Sequence, residues 1–209
     1  MGTVTDSNGN TYSSIYAWTF VVGEEIEPDP IITGVASFEG GFNEDGLFFG
    51  DDTYPYDITG NNASITADGS EQVEWVVQIL GPTTIDHLRI IANNPWADYG
   101  VQIGPLTTDS TVNLTRVSVT ITNESVNGVW GFSGYTFAEG QEVNLTYCTA
   151  ETIYEYGDQG ATGFEFSSGG TGNEGEVNIS YCTASDVFTS GIDFDAVGMW
   201  ILASGVSGS

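Results

Sequence analysis

The sequence contains no lysine. Arg89 and Arg116 are its only strong bases and His87 its only histidine. Against them stand 29 Asp and Glu, so the formal charge is -27 over 209 residues. Phosphate contacts need Lys and Arg, so nucleic acid is not expected as a partner, and neither is anionic lipid. An anionic polysaccharide would need a divalent cation between itself and the chain. Long apolar runs are missing too. Nothing approaches the ~18 residues of a membrane helix, so no membrane insertion is expected. Cysteine is limited to Cys148 and Cys182, which excludes a disulfide-rich scaffold and a structural zinc site. Met1-Gly-Thr-Val-Thr-Asp6 lacks a basic head and an apolar stretch, so it is no signal peptide. Export would then rest on a segment already removed, or the sequence is a piece of a longer protein.

What is present favours strands. Charged residues make up 15%, against about 25% in an ordinary domain. The imbalance therefore reflects missing cations rather than crowded acids. Apolar residues at 40% and aromatics at 12% suffice for a sizeable core. The 28 glycines are about twice the usual ~7% share. Together with abundant Thr, Ser, Asn, Val and Ile they suit strands and tight turns. Three regions are expected. Residues 1–23 hold a strand in which Tyr16, Trp18 and Phe20 alternate with Ala17, Thr19 and Val21. Residues 24–64 form an acidic linker or capping segment, with ten acids between 24 and 57. Residues 65–209 form the main unit, opening on a strand at Gln72–Leu80.

The most specific feature is a repeat. Glu142-Val-Asn-Leu-Thr-Tyr-Cys-Thr-Ala150 recurs as Glu176-Val-Asn-Ile-Ser-Tyr-Cys-Thr-Ala184, identical at seven of nine positions. Val112-Asn-Leu-Thr115 is a weaker copy and Ile85–Ile90 a fourth. The Val-Asn anchors lie 31 and 34 residues apart. A second signature, a Gly ahead of an alternating strand, occurs at Gly100, Gly128, Gly163 and Gly191. A period near 30 with two short strands per unit predicts a solenoid. Stacking would set Val143, Leu145 and Tyr147 inward above Val177, Ile179 and Tyr181. Asn144 and Thr146 would point outward above Asn178 and Ser180, as hydrogen-bonding ladders.

This pattern resembles the right-handed parallel β-helix proteins of the pectate-lyase-like superfamily, over about residues 65–200. The fold class expected is thus all-β, a right-handed parallel β-helix with an N-terminal extension strand. The Asn8-Gly9 turn followed by Tyr16-Ala-Trp-Thr-Phe20 resembles the closing strand of bacterial immunoglobulin-like domains of surface-layer proteins. The resemblances imply a protein of the cell surface or extracellular space. The β-helix fold carries lyases, hydrolases, tailspikes and adhesins alike, so it does not choose an activity.

Candidate sites follow from the repeat. Cys148 and Cys182 occupy equivalent positions, which permits a disulfide or two stacked buried thiols. Asp193 and Asp195 face one side of a strand, with Glu165 at the position matching Asp193. Such an acidic stripe could serve acid–base chemistry or hold calcium through oxygen ligands; a solvated acidic face is the simpler reading. His87, flanked by Asp86 and Arg89, is expected to be structural or exposed. Sequons stand at Asn62, Asn113, Asn123, Asn144 and Asn178, of which Asn62 and Asn123, in turn-like sequence, are the better glycan acceptors. Trp96, Tyr99 and Trp130 are candidates for stacking on sugar rings. Met199, Trp200, Ile201 and Leu202 form an apolar strand that, with Tyr16, Trp18 and Phe20, could drive assembly. The function expected is non-enzymatic: a structural or adhesive protein that associates with itself as a filament or sheath. The alternatives are a polysaccharide-binding or polysaccharide-degrading β-helix protein and a viral receptor-binding fibre.

Overall fold

The computed structural model describes residues 4–5, 11–12, 35–38, 47–49, 56–67, 74–93, 96–106, 110–123, 128–135, 140–156, 160–168, 175–191 and 195–203. Every regular element among them is a strand, and none is a helix able to cross a membrane. β1 (Val4–Thr5) and β2 (Thr11–Tyr12) form a small antiparallel pair around the Asn8-Gly9 turn sequence. The expected strand from Tyr16 to Val22, with Trp18 and Phe20, lies outside the described residues.

The remaining strands are β3 (Val35–Phe38), β4 (Leu47–Phe49), β5 (Tyr56–Ala67), β6 (Trp75–Ile79), β7 (Thr83–Ala92) and β8 (Tyr99–Ile103). Three triplets follow. The first is β9 (Thr111–Thr115), β10 (Ser118–Asn123) and β11 (Val129–Tyr135). The second is β12 (Glu142–Thr146), β13 (Thr149–Glu155) and β14 (Ala161–Ser168). The third is β15 (Glu176–Ser180), β16 (Thr183–Thr189) and β17 (Ala196–Ala203). They build two parallel sheets, one of nine strands and one of six, ordered β17-β14-β11-β8-β6-β4. Successive triplets stack in register, an arrangement compatible with a β-helix-like solenoid. Each of the three triplets holds three strands rather than the expected two, whereas β7 alone spans the positions of both β9 and β10. The Glu142–Ala150 motif spans β12 and the start of β13, and the glycine-led strand is the third.

Parallel stacking also begins before residue 65. β3 pairs with the second half of β5 and β4 with β6, so the boundary placed at residue 65 falls inside β5. Asn62 lies within that strand, and Asn123 ends β10. Neither sits in the turn its sequence suggested, and their side chains lie outside the described residues.

Columns of like residues fill the interior, because in-register parallel pairing puts equivalent side chains one above another. Ile85, Leu114, Leu145 and Ile179 make one column; Ile90, Val119, Ala150 and Ala184 make another. In the six-stranded sheet Phe132 and Phe164 stack with parallel rings 4.8 Å apart. The alternation expected to carry Tyr147 inward breaks down. Tyr147 has φ 55° and is exposed, as is Tyr181 with φ 55°. Arg116 and His87 hold the same left-handed conformation one and two coils before Tyr147. Arg116, Tyr147 and Tyr181 turn the chain between two strands and His87 does so within β7; each resets which side chains face inward, so the next residue points to the core: Leu88, Val117, Cys148 and Cys182. Thr152 and Asp186 form a second left-handed row, where the β10–β13 register shifts to admit one extra residue in β13.

A glycine column explains how the six-stranded sheet closes against the larger one. Its register aligns Gly100, Gly131, Gly163 and Gly198, not the expected Gly128 and Gly191. At this point two consecutive residues, such as Gly131 and Phe132, both face the interior. A Cβ on Gly131 would lie 2.6 Å from Gly163 O and 3.1 Å from Ala150 Cβ, and one on Gly163 would lie 2.6 Å from Gly198 O. At Gly198 the nearest atom would be Ala184 Cβ, at an ordinary 3.6 Å. Gly131→Ala and Gly163→Ala should each lower stability by about 1–3 kcal/mol through overpacking. Gly198→Ala should change it by less than about 0.5 kcal/mol. Urea midpoints of the three variants measure the difference.

Candidate functional site

Three surface features concentrate chemistry. The first is the outer side of the six-stranded sheet. There Gln78, Gln102, Ser133, Glu165 and Trp200 form one column, and Trp75, Tyr99, Trp130 and Thr162 a second. Tyr99 and Trp130 stack at 4.8 Å with 17° between planes. Gln78 Nε2 donates to Gln102 Oε1 at 2.9 Å. Trp130 Nε1 donates to Glu165 Oε2, and Tyr135 lies close enough to feel the same carboxylate. Burial and the neighbouring Glu165 charge push Tyr135 up to about 12. The Ser133 hydroxyl opposes that rise, although it is fully buried and makes no hydrogen bond of good geometry. Tyr99 is pushed up further, by burial first and then by Tyr135, Asp98, Glu74 and Glu165.

Glu165 is therefore the centre of an aromatic and carboxylate cluster. The register does not set Glu165 against the position of Asp193, contrary to expectation. Its column neighbours are Ser133 and Trp200. Asp195 lies five residues before Trp200, level with Gly160, where its carbonyl accepts from Ala161 N at 3.2 Å. Asp193 lies outside the described residues. The cause is the shifted glycine anchor: the strand matching Glu165 starts after Asp195 rather than at Gly191. Among the described residues no three His, Cys, Asp or Glu gather as metal ligands. Tyr99 and Trp130 stack on each other, so each covers one face of its partner. Trp96, the third expected sugar platform, is exposed outside these columns.

The second feature is the ridge of left-handed residues. Arg116 holds Asp86 with two nitrogens, at 2.9 to 3.2 Å, and His87 Nδ1 lies 2.8 Å from Asp86 Oδ2. Burial would raise Asp86, but hydrogen bonds and charge from Arg116 and His87 outweigh it and hold the carboxyl below its ordinary value. Further along the ridge Tyr147 and Tyr181 stack at 5.0 Å, and Tyr181 is 76% exposed. Beside the ridge runs an asparagine ladder. Asn144 Nδ2 donates to Asn113 Oδ1 and Asn178 Nδ2 to Asn144 Oδ1, each at 3.0 Å. The same two amides donate to Glu142 and Glu176 at 3.0 and 3.1 Å. A glycan on Asn144 or Asn178 would have to use the nitrogen that holds the ladder together.

The third feature is the coil β15–β17. Its inward residues Val177, Ile179, Cys182, Ala184 and Val187 are only partly buried, and Met199, Trp200 and Ile201 are 43%, 48% and 49% exposed. Leu202 belongs to the same strand. Cys148 and Cys182 are free thiols in successive coils. The sequence places Glu165 in an acidic stripe with Asp193 and Asp195, not in the aromatic cluster. Its signal lay in the aligned outward positions Tyr99, Trp130 and Thr162, which could be read only with the correct glycine register.

Glu165→Gln removes a charge that holds Tyr135 up. The Tyr135 titration should then fall from about 12 toward the ordinary tyrosine value of 10.0, stopping short of it because burial persists. Ultraviolet titration, with Tyr135→Phe identifying the transition, reads the shift. No protein family, no curated protein and no solved structure matches this chain.

Proposed function

We propose that this chain is a non-enzymatic structural or adhesive protein of the cell surface or extracellular space, a right-handed parallel β-helix that associates end to end with copies of itself. The handedness follows from the near-universal right-handed crossover between parallel strands. The observation that carries the self-association is the coil β15–β17. It repeats the ladder-forming residues of the coil below, yet among the described residues nothing pairs with its far side. Half-exposed Met199 and Ile201, the outer ring face of Tyr181 and three strand edges all lie there. A second copy would continue each column as one coil continues the last, with backbone pairing supplying register and apolar burial the driving force. The surface location is supported by the resemblance of Tyr16–Phe20 to a surface-layer strand and by polar Asn and Thr columns facing outward.

A second reading, polysaccharide binding, draws on the exposed Tyr181 ring, whose outer face is available to a pyranose.

Charge opposes association, since each copy carries -27. Screening by salt or bridging by calcium must offset it. Light scattering and electron microscopy across salt and calcium concentrations should show growth of linear assemblies as screening rises. Met199→Asp and Ile201→Asp should suppress that growth at least tenfold. A monomer under every condition sinks the reading. Binding to a glycan panel that is lost in Tyr181→Ala would favour the second reading.

A further inference from the structure

Leu88, Val117, Cys148 and Cys182 each follow a left-handed ridge residue and form one inward column. The first three are fully buried, and Cys182 is partly buried against the core. The two thiols hold one pose, one coil apart. Cys148 Sγ donates to Leu114 O at 3.3 Å and Cys182 Sγ to Leu145 O at 3.6 Å, and Leu114 and Leu145 are register partners. Backbone bonds clamp the pair on both sides: Tyr147 N donates to Ser180 O and Thr183 N to Cys148 O, each at 3.0 Å. The Cα atoms therefore sit at the strand spacing of about 4.8 Å, inside the roughly 4.4–6.8 Å range that a disulfide spans.

We propose that Cys148 and Cys182 are an oxidisable pair, which thiol–disulfide exchange with a small external disulfide closes into a staple between the coils β12–β14 and β15–β17. Cys182 attacks first, because its sulfur is partly exposed and that of Cys148 is buried. Interaction with the neighbouring Cys148 thiol draws the Cys182 thiol below its ordinary value. The same contact, with burial, pushes Cys148 up. The Cys182 thiolate attacks one sulfur of the external disulfide, whose S–S bond breaks and releases one thiolate. Cys148 then gives its proton to solvent and attacks the Cys182 sulfur, and the second external thiolate leaves. Two protein thiols are oxidised, one external disulfide is reduced to two thiols, and the two protons end on those thiols.

The full chain, incubated with oxidised glutathione at mildly alkaline pH, is read by intact mass, peptide mapping and alkylation. Wild type should lose two hydrogens, retain no glutathione, yield a 148–182 cross-linked peptide and resist alkylation until reduced. Cys148→Ser, or Cys148→Ala should the serine misfold, should stop at one glutathione adduct on Cys182. Cys182→Ser should react at least about tenfold more slowly, its remaining thiol being buried. Adducts that persist on wild type, cross-links between chains, equal rates in the two single variants, or thiols that react only after denaturation would each overturn the staple.

Discussion

Parallel pairing in register means that a residue's nearest neighbour along the stack is its own counterpart one coil away. Everything else in this structure answers to that constraint. Apolar residues gain from it, since Ile85, Leu114, Leu145 and Ile179 bury one another without any specific fit. Amides gain too, because an Asn carries both a donor and an acceptor and can satisfy its own kind. Carboxylates lose, since a stacked pair repels. Glu142 and Glu176 stand in register, each accepting from the asparagine two residues on. Donated amide hydrogens soften a repulsion that neither lysine nor arginine is present to relieve.

Two backbone devices let a chain of short strands close into such a stack. The left-handed ridge turns each coil between its first two strands, at an expense of about 1–2 kcal/mol for a residue other than glycine. Tyrosine, arginine and histidine bear that strain here, and packing on both sides must offset it. Where the third strand approaches the second, side chains are removed instead. The glycine column lets the backbone of one coil pass where a Cβ would strike the carbonyl of the next.

The strand content and the stacking period were legible in the sequence because Glu142–Ala150 and Glu176–Ala184 are near-copies, and their pairing is the one expected. Beyond that motif the reading weakened for physical reasons. Strand alternation assumes extended backbone, so it carried Tyr147 inward; a left-handed residue resets the alternation and leaves no compositional mark when it is not glycine. The third strand was anchored on Gly128 and Gly191 because a glycine before an apolar run is a common turn signal. The glycines that matter, Gly131 and Gly198, lie inside strands and are set by a close approach between sheets. That error set Asp193 and Asp195 beside Glu165 and hid its hydrogen-bond partner Trp130 and the nearby Tyr135. The columns of the larger sheet survived because loops of unequal length do not disturb a motif that carries its own register.

The asparagine ladder has a direction. Each amide nitrogen points toward the earlier coil and each oxygen toward the later one, so the row has a donor end and an acceptor end. At Asn178 the ladder finishes on an oxygen that meets no donor among the described residues. Two such ends brought face to face would oppose acceptor to acceptor, and a two-fold symmetric dimer through this column is disfavoured. A contact that satisfies it must be head to tail, between unlike surfaces. Contacts of that kind do not terminate after two copies unless rotation closes a ring. The orientation of a few amide groups thus bears on the symmetry of any assembly the chain can enter.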